Sequence, residues 1–160
     1  MELDVNLINP FLTASKNVIA TTTGIQTTIG KPCLKETKFD DDSVLISIGI
    51  TGDIEGQAMI HFYEKDAIFV VNEFMGKMMG MVIASLDEMG ISALSELGNQ
   101  IMGNVSTIFF TNNIKTDITP PTVIRGNFVM SRNYATNICV PFLKEDGTEL
   151  FGLNMAIRKD

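Results

Sequence analysis

The alternation of hydrophobic and polar residues divides the chain into helical and strand segments. The first helix is expected to begin near Pro10 with Asn9 as its N-cap, because proline fits the first helical position. It is expected to end at residues 21–24, where three threonines and a glycine weaken the last turn. Its apolar face holds Leu7, Phe11, Leu12, Val18 and Ile19.

Five later segments show the alternation typical of strands, and these are residues 43–51, 56–63, 121–130, 134–143 and 149–158. Two more helices are expected at residues 65–79 and 89–112. Turn-forming residues at 52–53 and 145–147 predict that the strands on either side of them form hairpins.

The order of the predicted elements repeats, because a helix followed by a strand and a hairpin occurs twice. This order predicts a weak internal duplication and an α+β fold, in which helices pack on mostly antiparallel strands. A chain of 160 residues suits one compact domain. We therefore expect residues 1–160 to form a single domain.

Composition narrows the possible partners. The net charge of -7 argues against a nucleic-acid reader, which normally carries a basic patch, and disfavours anionic lipid. The first residues lack the positive charge and apolar run of a signal peptide, and no stretch reaches the length of a membrane helix. We expect a cytoplasmic protein whose acidic surface meets a protein partner with basic patches.

The cysteines and the histidine do not indicate a catalytic or metal-binding site. Cys33 and Cys139 do not form a CxxC pair, and a zinc site would need more ligands, so we expect two reduced, buried thiols and no metal site. His61 is the single histidine and lies in an apolar strand pattern. A structural role is expected for His61, because no catalytic partners for it are evident.

The long third helix has two distinct faces. Its core stripe consists of Leu94, Leu97, Ile101, Val105 and Ile108. Ser92, Glu96, Asn99 and Gly103 fall on the opposite side, at spacings of four, three and four residues. Glu96 and Asn99 are therefore expected to point away from the core. Outer helix faces are normally polar, so the periodicity alone does not make this pair functional.

Helix propensity adds a second signal on the same segment. Gly98, Asn99, Gly103 and Asn104 are poor helix formers, and together they give up roughly 3 kcal/mol relative to alanine. Surface positions could hold better helix formers without a packing penalty. We interpret the deficit as a sign that another backbone approaches closely, at Gly103 beside Asn99.

The motif Ser92-x-x-x-Glu96-x-x-Asn99, followed by Gln-Ile-Met-Gly-Asn, resembles the signature of the CheC/CheX/FliY family of chemotaxis phosphatases. Pro120 and Pro121 within DITPPTVIRG, and INPFLTA in the first helix, extend the resemblance over most of the chain. It implies the pseudo-duplicated CheC/CheX-like fold. CheC-like members carry the Glu/Asn pair on both repeated helices.

In this chain the first helix offers Asn17, but Ala14 stands where the glutamate would be. The sequence therefore resembles the CheX pattern, with one active site at Glu96 and Asn99.

The resemblance implies an enzyme that hydrolyses the aspartyl phosphate of a phosphorylated CheY-like response regulator. Asn99 would orient the attacking water, and Glu96 would pair with the partner's active-site lysine. Ser92 and Gly103 would contact the partner. No cofactor of its own is implied, because Mg²⁺ is expected on the response regulator. The resemblance also implies a homodimer formed through sheet edges.

Two other functions remain open at this stage. Flagellar-switch components of the same family bind response regulators without hydrolysis, so the chain could be a non-catalytic binding module. It could also be a structural scaffold. The methionines at positions 75, 78, 79, 81 and 89 would then form an adaptable binding surface, although core filling is the commoner role of such residues.

Overall fold

The computed structural model describes residues 5–34, 38–129 and 138–159. Three helices pack on a mostly antiparallel sheet in this part of the chain, which confirms the predicted α+β class. The helices are α1 (Val5–Thr23), α2 (Glu64–Met79) and α3 (Glu88–Thr111). The strands are β1 (Thr28–Ile29), β2 (Cys33–Leu34), β3 (Lys38–Phe39), β4 (Ser43–Gly52), β5 (Ile54–Tyr63), β6 (Thr116–Ile118), β7 (Thr122–Arg125), β8 (Phe128–Val129), β9 (Ile138–Leu143) and β10 (Glu149–Lys159).

The sheet is built from two long hairpins that lie side by side. The hairpins are β4–β5 and β9–β10, and antiparallel pairing of β5 with β10 joins them. The short strands β1 and β2, which follow α1, cross over to pair with β9, whereas the short strands β6 and β7, which follow α3, pair with β4. The two halves thus exchange their short strands across the central hairpins. This exchange is the form that the predicted internal duplication takes. Strands β3 and β8 make a separate two-stranded sheet.

The first helix begins earlier than its sequence predicts. Pro10 lies inside α1, and the helix already includes Leu7 and Ile8, which are 5% and 8% exposed. The predicted start near Pro10 with Asn9 as N-cap is therefore wrong. Proline removes one backbone hydrogen bond, but the burial of two large apolar side chains outweighs that loss. The predicted end of the helix is confirmed, since Gly24 follows it with a positive φ of 79°.

The long strands and hairpins are confirmed, with local differences. Gly126, with a φ of 106°, divides the predicted strand 121–130 into β7 and β8. Residue 130 and residues 134–137 of two predicted strands lie outside the described residues. The prediction missed β1, β2, β3 and β6, because two or three residues are too few to show an alternation.

The main core lies between the helices and one face of the sheet. A smaller cluster of Phe39, Leu45 and Met59 lies on the other face, since neighbouring strand residues point to opposite sides. His61 belongs to this second face and is 3% exposed, with its Nε2 atom 2.9 Å from Ser43 Oγ. Its surroundings agree with the predicted structural role.

The prediction that both cysteines are buried can be checked for Cys139. Cys139 in β9 is 2% exposed. The side chain of Cys33 lies outside the described part of the structure. No helix within the described ranges combines the length and the apolar character needed to cross a membrane.

Candidate functional site

Helix α3 is fixed at its start by a cap and a close packing contact. The side chain of Asp87 accepts a hydrogen bond of 2.9 Å from the backbone N–H of Gly90. A Cβ atom on Gly90 would lie 2.8 Å from Ile83 Cδ1 and 2.9 Å from Leu86 Cδ1. The preceding loop therefore packs directly on the first turn. The observed limits, Glu88–Thr111, confirm the predicted helix to within one residue.

The inner face of α3 follows the predicted stripe. Leu94, Leu97, Ile101 and Val105 are at most 2% exposed, and Ile108 is half-buried. Gly98 also faces inward, because a Cβ atom there would lie 2.8 Å from Ile46 Cγ2 on strand β4. The low helix propensity of Gly98 is thus explained by helix–sheet packing within this domain. Our interpretation that it serves the approach of another molecule is wrong for this residue.

A proline-containing segment supports α3 from the sheet side. Pro121 Cβ is 3.5 Å from the position that a Cβ atom of Gly98 would occupy. Thr119 holds this segment on β4, because its Oγ1 accepts from Gly49 N at 2.8 Å and its N donates to Gly49 O at 3.0 Å. The Pro-Pro motif therefore lies beneath the helix that carries the candidate site.

The outer face of α3 brings together the four residues that the sequence singled out. Ser92, Glu96, Asn99 and Gly103 are all exposed. Apart from the neighbouring turns of its own helix, no described atom lies within 4 Å of the position that a Cβ atom of Gly103 would occupy. Packing within the domain therefore does not account for Gly103, in contrast to Gly98. This glycine leaves room for close approach from outside.

The two polar side chains of the pair have different surroundings. Gln100 Nε2 donates a hydrogen bond of 3.2 Å to Glu96 Oε1, one helical turn away. The amide group of Asn99 makes no hydrogen bond to any other described residue. Its donor and acceptor are thus both available to a ligand. Sequence reasoning gave Gln100 no role, although its four-residue spacing from Glu96 is a usable signal.

The charge on α3 has one sign. The helix contains Glu88 and Glu96 and neither lysine nor arginine. Asp87 adds a third carboxylate at the cap. This outer face therefore favours a partner that presents cationic groups.

Helix α1 lacks the equivalent pair. Ala14 is 1% exposed and lies beside the buried Ser15, so it does not occupy an outer-face position comparable with that of Glu96. The predicted correspondence of Ala14 with the family glutamate is therefore wrong in detail. Helix α1 contains no aspartate or glutamate at any position, so it cannot supply the carboxylate of a second pair. Asn17 is exposed on this helix without such a neighbour.

Within residues 5–34, 38–129 and 138–159, no group of three or more histidine, cysteine, aspartate or glutamate residues is placed to hold a metal ion. The candidate site is the polar row of exposed residues on α3, Ser92, Glu96, Asn99 and Gly103.

Solved structures define the class of protein to which this fold and site belong. A CheC-like superfamily protein from Shewanella sp. PV-4 superposes with a TM-score of 0.81 at 27% identity, covering 98% of this chain and 99% of that one. A chain of the CheX–CheY–BeF3–Mg²⁺ complex from Borrelia burgdorferi gives a TM-score of 0.79 at 29% identity, covering 99% of this chain and 100% of that one.

Sequence comparison gives the family within that class. Residues 44–143 match the family described as chemotaxis phosphatase CheX. A protein from Thermotoga maritima named CheY-P phosphatase CheX is 31% identical over 159 residues, which cover 98% of each chain. The chain belongs to the CheX family of chemotaxis phosphatases.

Proposed function

We propose that this protein hydrolyses the aspartyl phosphate of a phosphorylated CheY-like response regulator. The observation that carries the proposal is the exposed pair on α3, in which Glu96 and Asn99 lie about one helical turn apart on the same face. The name of the Thermotoga relative and the CheX–CheY complex from Borrelia support the same substrate for this chain.

Hydrolysis requires a water molecule in line with the phosphorus–oxygen bond that breaks. The water oxygen bonds to phosphorus, the aspartate oxygen leaves as carboxylate, and the proton of the water remains with inorganic phosphate or solvent. We assign the positioning of this water to Asn99, because an amide both donates and accepts hydrogen bonds. The free amide of Asn99 supports this role. The response regulator would supply the Mg²⁺ that neutralises the phosphoryl oxygens.

Glu96 has a separate role in the proposal. Its exposed carboxylate would pair with the active-site lysine of the response regulator and fix the register of docking. The hydrogen bond from Gln100 restricts the orientation of that carboxylate. Ser92 and Gly103, in the same row, would lie against the partner, and Gly103 would permit backbone approach.

We also propose a homodimer, which sedimentation analysis of the purified protein tests.

The decisive experiment follows the decay of a phosphorylated receiver with wild-type protein and with Asn99→Ala. Removing one preorganised hydrogen-bonding group typically costs on the order of 10²-fold in rate. We expect a loss of that size with little change in affinity for the receiver. Asn17→Ala is the matched control, since it makes the same substitution at an exposed helical asparagine of α1.

Full activity in Asn99→Ala would refute the assignment. An equal loss of activity in Asn17→Ala would show that the effect is not specific to the row on α3, and would also contradict the assignment. If the wild-type protein binds the phosphorylated receiver without accelerating its decay, the chain is a binding module of the flagellar-switch type and the enzymatic proposal is wrong.

A further inference from the structure

Three exposed apolar side chains lie on the loop between α2 and α3 and on the first turn of α3. Met81, Val82 and Met89 are 39%, 78% and 42% exposed, and we refer to these three residues as the junction patch. Ile83 follows Val82 in the chain, and its Cδ1 is 2.8 Å from the position of a Cβ atom on Gly90, which follows Met89. The two parts of the patch are therefore neighbours in space.

The junction patch is held in place by buried contacts beneath it. Asn72 of α2 binds the backbone of Ile83 twice, accepting from its N at 2.7 Å and donating to its O at 3.0 Å. The side chains of Ile83 and Leu86 are 9% and 3% exposed, so they anchor the loop in the core. The exposure of Val82 is thus a fixed feature of the surface, since the backbone on its C-terminal side is clamped.

The patch continues directly into the candidate site. Met89 precedes Glu96 by two helical turns, so it lies about 10 Å away along the axis and on the same side of α3. A shallow cleft is lined by Asp87, Glu88, Met89 and Ser92, which joins the patch to the polar row. A partner in a standard interface covers about 800 Å², a disc of roughly 16 Å radius. A partner centred on the Glu/Asn pair therefore also reaches Met89.

We infer that the junction patch is the apolar part of the docking surface for the phosphorylated response regulator, an inference that rests on the proposed function. The occupant would present an apolar surface with basic residues near it, because two acidic side chains border the cleft. Methionine suits such a contact, since its flexible side chain adapts to the partner's shape. A second copy seated on the patch would cover the Glu/Asn pair and block turnover, which favours the receiver as the occupant.

The test uses the double variant Val82→Thr/Met89→Gln, which keeps the shape of both side chains while making them polar. The ligand is the receiver domain activated with beryllofluoride and Mg²⁺, and the dissociation constant is measured by fluorescence titration. Loss of apolar contacts at an interface commonly costs about tenfold in affinity. We expect the Kd to rise about tenfold, the KM for the phosphorylated receiver to rise in parallel, and kcat to stay unchanged.

The matched control is Val5→Thr, which makes the same valine substitution at a residue that is 55% exposed at the start of α1. The control should bind and turn over like the wild type, and all three proteins should unfold at the same temperature. An unchanged Kd and KM in the double variant would overturn the inference while leaving the proposed function intact. Altered self-association with unchanged receiver affinity would also overturn it, since the patch would then be an interface between copies. Failure of the proposed function appears separately, as wild-type protein that does not accelerate receiver decay.

Discussion

Gly98 and Gly103 occupy the same helix but face opposite ways, which allows the helix–sheet packing of α3 to be measured. Replacing either glycine by alanine should gain about 1 kcal/mol of helix propensity. At Gly103 no described atom outside the neighbouring turns of the helix lies within 4 Å of the new methyl group, so the full gain is expected. At Gly98 the new methyl group would lie 2.8 Å from Ile46 Cγ2 and 3.5 Å from Ile48 Cδ1.

The short contact at Gly98 cannot be relieved by a simple side-chain movement. Ile46 is 1% exposed in the centre of β4, and its Cγ2 is attached directly to the branched Cβ atom. An ordinary carbon–carbon contact begins at about 3.5 Å, so α3 must move away from the sheet by roughly 0.7 Å. Overpacking of this kind costs about 1–3 kcal/mol. The net effect of Gly98→Ala is therefore a loss of up to about 2 kcal/mol.

Urea unfolding of the two variants and the wild type measures these effects. The free energy of unfolding should rise in Gly103→Ala by about 1 kcal/mol and should not rise in Gly98→Ala. Because the propensity gain is common to both variants, the difference between them, about 1–3 kcal/mol, isolates the packing cost. Equal stabilisation by both substitutions would refute the close approach of α3 to β4.

Other substitutions test single contacts of α3. Glu96→Ala should raise the Kd for the activated receiver roughly tenfold and also slow turnover, because the carboxylate assigned to the partner's lysine is lost; titration and kinetics that match the wild type would contradict that assignment. Asp87→Ala removes the cap on Gly90 and should lower the free energy of unfolding by about 1 kcal/mol. An unchanged urea midpoint would show that the cap contributes nothing. Gly103→Ala should weaken receiver binding despite its greater stability, and an unchanged Kd would place Gly103 outside the contact surface.

The methionines show how far composition alone can be interpreted. Core filling was the commoner expectation for this group, and it is correct for Met75, which is 1% exposed. Met79, Met81 and Met89 are instead 57%, 39% and 42% exposed. The side chain of Met78 lies outside the described residues. Hydrophobicity gives the same value to a buried and an exposed methionine, so only the tertiary packing of α2, the loop after it and α3 separates them.

Local periodicity was sufficient to predict α2, α3 and the two long hairpins, and to place Glu96 and Asn99 on an outer face. Each of these features repeats over many residues, and the helical period of about 3.6 residues relates side chains within a single element. The prediction of a single site came from the family resemblance, and the absence of aspartate and glutamate from α1 agrees with it.

The tertiary structure decided which features serve the domain and which face outward. Gly98 and Gly103 are equally poor helix formers, yet a methyl group at Gly98 would meet Ile46 and one at Gly103 would meet no described atom outside the neighbouring turns of the helix, because the sheet lies on one side of α3. The exchange of short strands between the halves, the burial of Ala14 and the hydrogen bonds of Asn72 to Ile83 likewise depend on contacts between different segments of the chain. Such contacts arise when elements pack against each other. The hydrophobic pattern of one segment does not show which other segment packs against it.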